Sequence, residues 1–376
     1  MNHFFLWLGA SISLAEIEAG GLFSGFNLEN AIFTIIFGHF LGAILFFAMA
    51  YLNANLKTNA MKSVEYFYSN KGKVFFAFLN FIALVCWSGV MIMSAARLIC
   101  GIFINLNYEL ITFVLALLLI VWLFLKHRFL MILNNIVVLM LFIICVYVFR
   151  FIDFQLPPIN HEKISFINAI ELSIAMPISW LALIGDYTKN YKKPFKDSLL
   201  ITLAYFCGSS FMYIIGYFAF KYYDGLSNFF MALQISFIVI FLTIFSTITT
   251  TYLDVFSANE SLKNINCCFD KKFIKLLIIT LALLIAIFIP FSLYENFLYT
   301  LSSVFLPMAS VMICVYFFKL KNSVKLNFLI WFIGFLIYQI LIYFDFLASV
   351  LTFLIILILT LGGNYVSKNH AKYTKS

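Results

Sequence analysis

The chain has 376 residues, 64% of them hydrophobic and 11% charged, with a formal net charge of +8 and a mean hydropathy of +1.04. A soluble globule is nearer half apolar and a quarter charged, so the composition excludes a string of water-soluble domains and reads as a multi-pass membrane protein. The basic excess shows no clustered patch with interleaved aromatics, which argues against nucleic acid and leaves the lipid bilayer as the partner.

A bilayer core needs about 20 apolar residues per helix. Twelve runs qualify: 4–24, 30–53, 74–104, 109–126, 129–150, 166–186, 198–221, 229–257, 273–291, 295–318, 326–343 and 346–363. They are long and lack two-residue alternation, which rules out a barrel. The first run has no clean small-residue cleavage site after it and reads as a retained span, not a signal peptide. With the N-terminus placed in the cytoplasm, twenty of the 24 basic residues fall on cytoplasmic connections or the tail. Arg97, Arg150, Lys163 and Lys221 fall toward the other side. The positive-inside rule then puts both termini in the cytoplasm of a cell with this protein in its inner (plasma) membrane. The seven cysteines show no CxxC or paired spacing, and the histidines are scattered, so neither a disulfide framework nor a metal cluster is expected.

Polar groups at mid-membrane depth mark solute or ion paths by default. In span 1, "SISLAEIEAGG" (11–21) sets Glu16 and Glu18 beside Gly20–Gly21. A carboxylate at the bilayer centre costs on the order of 3 kcal/mol. The glycines predict an unwound turn between Glu16 and Gly21, with Glu16 binding solute or carrying a coupling proton and Glu18 solvated near the outer mouth. In span 3, "LVCWSGVMIMSAAR" (84–97) places Trp87 mid-span, away from the interface where tryptophans gather. In span 6, "IAMPISWLALIGDYTKNYKKP" (174–194) breaks its hydrogen-bond ladder at Pro177, with Trp180 directly after. Asp186 and Lys189 mark its cytoplasmic end, in a structural or gating role. In span 8, Thr243, Thr247, Thr250, Asp254, Ser257 and Ser261 recur at spacings of three and four, one continuous polar stripe. Its hydroxyls and any freed carbonyls are hard oxygen ligands for a small cation. His39 reads as a packed or polar-contact histidine and not a proton relay, Arg97 as an outer-end snorkelling or paired cation, and Glu171, Glu295 and Asp345 as solvated span-edge acids. Gln339 falls outside any ten-helix core.

Two central indoles on different helices suit a flat solute held between rings, since base–aromatic stacking is worth about 1–3 kcal/mol. A carboxylate nearby would accept from ring or exocyclic N–H groups. Spans 1 and 6 are both interrupted, and each starts a run of five. Five spans per unit make the second unit inverted, the arrangement in which broken helices point to a transporter's central site.

These motifs resemble the nucleobase–cation symporter-1 family of cytosine, allantoin and hydantoin permeases, and most of all its hydroxymethylpyrimidine (thiamine-precursor) branch. The resemblance rests on "WLGASISLAEIEAGG", "WSGVMIMSAA", "PISWLALIGDYTKN" and "STITTTYLDVFSA", in that order along a twelve-span layout. It implies an all-α leucine-transporter-type fold: a first five-helix repeat (1–150), a second, inverted one (166–318), two additional helices (326–363) and a cytoplasmic tail (364–376). It implies stacking of a heterocycle between Trp87 and Trp180, with Glu16 and Asp254 beside it. It also implies a sodium site from the carbonyls of Gly9 and Ile12 with Ser246, Thr249 and Thr250. The chain departs from the family pattern in three places. Leu84 and Met91 flank Trp87, Asp254 stands where an amide is expected, and Glu16 where a small or hydroxyl residue is. Acids in place of amides suit a donor-rich solute such as an aminopyrimidine and leave Na⁺ and H⁺ both open as coupling ion. The expected function is cation-coupled import of a pyrimidine-like heterocycle by alternating access. An amino-acid carrier of the same fold is the rival. A membrane enzyme or sensor finds no catalytic cluster and no output domain.

Overall fold

The computed structural model describes residues 3–123, 136, 139–140, 142–144, 146–150, 152, 156–265 and 271–373. Among these, every long regular element is an α-helix and no strand occurs. Span 1 is two helices, α1 (His3–Ser11) and α2 (Leu14–Gly21). Spans 2 to 4 are α3 (Leu28–Leu56), α4 (Ala60–Ile102) and α5 (Tyr108–Leu123). The fifth expected span, 129–150, lies largely outside the described residues. Span 6 is α6 (Phe166–Ile178) followed by turns and the short α7 (Gly185–Thr188). Then come α8 (Pro194–Tyr223), the short α9 (Leu226–Ala232), α10 (Ser236–Asn264), α11 (Lys271–Phe288), α12 (Tyr294–Phe317), α13 (Val324–Tyr343) and α14 (Ala348–Tyr373). The last helix runs on past residue 363, where the sequence predicted its end. Six described helices are each long and apolar enough to cross a membrane, and the exposed surface carries large apolar side chains such as Phe40, Phe78, Ile143, Leu203 and Ile358.

The break in span 1 falls earlier than expected, at Ile12–Ser13, and Gly20–Gly21 stay helical. Ser13 caps α2: its hydroxyl accepts from the Glu16 amide at 3.3 Å, the Ser-x-x-Glu signature of a helix start. The glycines answer a packing demand instead. A Cβ on Gly20 would lie 2.2 Å from the Tyr213 carbonyl oxygen, and one on Gly216 would lie 1.9 Å from the Ile17 carbonyl oxygen. Hydrogen in place of Cβ is what lets α2 and α8 touch backbone to backbone. The break in span 6 falls where Pro177 predicts it: α6 ends at Ile178, and Pro177 leaves the Ser173 carbonyl without its helical donor.

Each broken span lies among long helices. α1 and α2 run along α8, α3 packs on α6 and α8, and α4 packs on α10 and α11, while α13 and α14 pack on each other and on α12. Asp186 is buried, 6% exposed, and its Oδ1 accepts from the Ala60 amide at the start of α4 at 3.1 Å. That contact pins the end of span 6 to the α3–α4 turn. Glu171, expected in solvent, is fully buried. Its carboxylate accepts from the Tyr338 hydroxyl at 2.8 Å, and from the Ser349 amide and hydroxyl. A carboxylate facing the first amides of α14 is stabilised by the helix dipole and ties α6 to α13 and α14. Gln339 is exposed on α13 and donates to the Ser303 hydroxyl of α12 at 3.1 Å.

Candidate functional site

The two breaks face one cavity. Its wall is formed by Ala10, Ser13, Ala15 and Glu16 of span 1, Trp87 and Met91 of α4, Met176, Ser179, Trp180 and Leu183 around the span 6 break, and Thr250 and Asp254 of α10. The cavity volume is about 20 Å³. That is room for about one or two waters, so a ring enters only as the walls part. All four side chains expected around the solute, Glu16, Trp87, Trp180 and Asp254, are on this wall, and Thr250 of the expected ion set is with them.

Trp180 is fixed from behind. Its ring meets Trp7 edge-on at 5.3 Å and Tyr205 at 5.9 Å, and its Nε1–H donates to the Tyr205 hydroxyl at 2.8 Å. Trp87 is only partly buried and meets Phe297 at 5.2 Å and Tyr294 at 6.2 Å, both edge-on. One indole is thus clamped and the other rests against α12.

Glu16 is 2% exposed. Tyr205 donates to its Oε1 at 2.8 Å, and the Ser209 hydroxyl lies 2.6 Å from its Oε2. Behind Ser209, His39 Nε2 is 2.7 Å from the same hydroxyl, and His39 Nδ1 is 2.9 Å from the Ile35 carbonyl oxygen. His39 is thus a buried histidine with a polar contact at each ring nitrogen. Sequence reading passed over Tyr205 and Ser209. The signal was there in the Tyr205, Ser209, Tyr213 repeat of four on one face of α8. Glu18, expected at a solvated mouth, is 8% exposed and off the cavity wall, because α2 stays helical to Gly21 and keeps it against the bundle. Arg97 is surface-exposed as expected, its guanidinium 4.4 Å from the Phe291 ring centre.

Asp254 is 4% exposed and its Oδ2 has no hydrogen-bond partner among the described residues. An orphaned buried polar atom of this kind costs about 1–3 kcal/mol. The rest of the α10 stripe is buried as well: Thr243, Thr247, Thr250, Ser257 and Ser261 are each 7% exposed or less. Its C-terminal half is engaged, with Ser257 donating to the Tyr187 hydroxyl at 3.2 Å and Asn80 to Ser261 at 2.9 Å. Its middle is not, since the Thr247 hydroxyl, like the Asp254 oxygen, has no partner among the described residues. Of the expected sodium ligands, Ser246 and the Ile12 carbonyl meet directly, the hydroxyl donating at 3.4 Å. Gly9 is buried in the last turns of α1, where carbonyls lose their helical donors. The Thr249 side chain lies outside the described residues. Two oxygens at the break, with Thr250 a turn away, form a donor set of the hard kind a sodium ion takes.

No family model matches the chain, and no curated protein matches it either. Solved structures do. Mhp1, a nucleobase-cation-symport-1 family transporter, in a closed conformation with bromovinylhydantoin bound, superposes with a TM-score of 0.74 at 17% identity, covering 99% of this chain and 92% of that one. The inward-facing conformation of Mhp1 gives 0.78 at 15% identity over 98% and 90%. A Na⁺-coupled sialic acid symporter in a substrate-bound outward-open state gives 0.72 at 12% identity over 97% and 90%. At these identities the likeness is one of fold. The chain has the fold that these symporters share, helical throughout its long described elements.

Proposed function

We propose that this protein is a secondary carrier that imports a pyrimidine-like heterocycle, of the hydroxymethylpyrimidine or cytosine type, by cation-coupled alternating access in the inner membrane, with both termini cytoplasmic. The observation that carries the reading is one cavity between two helix breaks walled by Trp87, Trp180, Glu16 and Asp254. Two indoles offer faces to a flat ring, and two acids offer acceptors to its N–H groups. The unpartnered Asp254 oxygen waits for such a donor.

In this reading residues 1–150 and 166–318 are two inverted five-helix units that rock about the cavity, with 326–363 outside them. Sodium held by the Gly9 and Ile12 carbonyls with Ser246, Thr249 and Thr250, or a proton, drives the cycle. The fold neighbours support a coupled cycle: one binds a hydantoin and belongs to a nucleobase–cation symporter family, another is Na⁺-coupled. An amino-acid carrier fits less well, because a solute carboxylate would face two acids across a tight cavity, where like charges repel. The test is a thermal-shift panel of pyrimidines, purines and hydantoins on the purified protein, with and without sodium. A pyrimidine should raise the melting temperature, and Trp87→Ala and Trp180→Ala should abolish the rise. Stabilisation by amino acids but by no heterocycle would refute the reading.

A further inference from the structure

Hydrogens can be counted around Glu16. The Ile35 carbonyl only accepts, so His39 Nδ1 carries a hydrogen and donates to it at 2.9 Å. Tyr205 takes the Trp180 N–H and gives its own proton to Glu16 Oε1. Ser209 is left with two close contacts, 2.6 Å to Glu16 Oε2 and 2.7 Å to His39 Nε2. Its hydroxyl has one proton. With Glu16 ionised and His39 neutral, one of these contacts sets lone pair against lone pair at a distance that needs a hydrogen. One further proton completes both.

From this we infer that Glu16, Ser209 and His39 form a binding site for one transported proton. The proton sits on Glu16 Oε2, with Ser209 donating to His39 Nε2, or on His39 Nε2, with Ser209 donating to Glu16 Oε2. The two forms differ by a two-proton shift through Ser209 and carry the same net charge. Loss of the proton breaks one contact and loosens α8, which carries Ser209, from α2, which carries Glu16, or from α3, which carries His39. The inference rests on the carrier reading above and deepens it by naming the ion and where it binds.

The surroundings favour a neutral-or-paired proton over a fixed counter-ion. From α8, Tyr205 and Tyr213 face the trio, the Tyr213 ring standing edge-on to His39 at 4.6 Å. From α12, Tyr294 donates to the Ala15 carbonyl beside Glu16 at 3.0 Å. From α10, Asp254 shares the cavity wall. Glu18 lies on the same helix as Glu16, and Arg97 of α4 acts on Glu18 and stacks on Phe291. The titratable group of α6, Glu171, is occupied by Tyr338 and Ser349. Among the described residues no lysine or arginine bonds to the trio, so His39 is the one positive partner Glu16 can have there.

Infrared difference spectroscopy tests this on the whole protein in liposomes, titrated from pH 9 to pH 5 with no solute and no sodium. A protonated-carboxyl signal should appear that Glu16→Gln deletes. Its midpoint should move by at least about one pH unit in His39→Gln, as expected for sites that interact strongly. Ser209→Ala, which removes a single oxygen and serves should His39→Gln misfold, should move it as well and abolish any further effect of His39→Gln. A spectrum unchanged by Glu16→Gln, or a midpoint that neither His39→Gln nor Ser209→Ala moves, overturns the inference. No solute enters the measurement, so a failed solute panel leaves this result intact, and the reverse holds too.

Discussion

Asp254→Asn separates binding from folding by opposite signs. The substitution keeps the shape and removes the charge of a side chain that is 4% exposed, with an Oδ2 that no described group satisfies. Folding gains nothing from that oxygen in the empty state, so the thermal midpoint should hold or rise. Binding should suffer. A hydrogen bond from a solute N–H to a charged acceptor is worth about 1.5–3 kcal/mol, and losing it weakens affinity roughly 12- to 150-fold. Calorimetric titration of cytosine and of hydroxymethylpyrimidine, with melting curves on the same preparations, reads both quantities. A variant that melts several degrees lower yet binds as tightly as wild type would show Asp254 to be a structural residue and refute the reasoning.

Trp87→Ala should weaken pyrimidine affinity roughly 5- to 150-fold, from about 1–3 kcal/mol of lost stacking, with a small effect on stability because the ring is only partly buried. Trp180→Ala should do the same and lower the melting temperature too, since it leaves the Tyr205 hydroxyl without its donor. The double variant Thr249→Ala/Thr250→Ala, or Ser246→Ala alone, should erase any sodium-dependent rise in melting temperature; a retained rise would move the cation elsewhere. Gly216→Ala must push α2 off α8, because the new Cβ would sit 1.9 Å from the Ile17 carbonyl oxygen. Overpacking of this kind costs about 1–3 kcal/mol, so fluorescence-detected gel filtration after heating should show a lower midpoint, and an unshifted curve would mean the helices slide freely.

The layout of spans, the break at Pro177 and the buried face of α10 were legible because each follows from a local rule: run length, a missing N–H, and three-to-four spacing. The meeting of Glu16, Trp87, Trp180 and Asp254 on one wall was legible from the cost of polar groups in lipid. The first break was misplaced because two glycines look alike whether they unwind a helix or let two helices touch. The Ser13-x-x-Glu16 start signal would have placed it. The partners of His39 and Ser209 went unseen, and Glu171 was misjudged, for a different reason. Their partners lie 170, 193 and 178 residues away in sequence, and no periodicity within one helix reports a contact made between helices.

Glu16 faces the cavity on one side and the serine–histidine pair on the other, and this gives a physical route from solute to proton. A carboxylate has about four acceptor sites, while a carboxylic acid gives one oxygen over to donation. With the proton on Glu16, Oε2 donates to Ser209 and Oε1 already receives Tyr205. With the proton on His39, both oxygens accept, and a solute N–H entering from the cavity finds a charged acceptor. A donor-rich ring therefore binds the second form better and draws the proton from Glu16 to His39, a shift limited by the difference in its affinity for the two forms. By linkage the ring changes the trio's affinity for its proton by the same factor as the proton changes the trio's affinity for the ring. Adding cytosine at constant pH should then bleach the Glu16 carboxyl signal in wild type and leave it unchanged in His39→Gln, which has nowhere to send the proton. Bleaching of equal size in both would mean that Glu16 releases its proton to bulk water, and that His39 has no part in coupling.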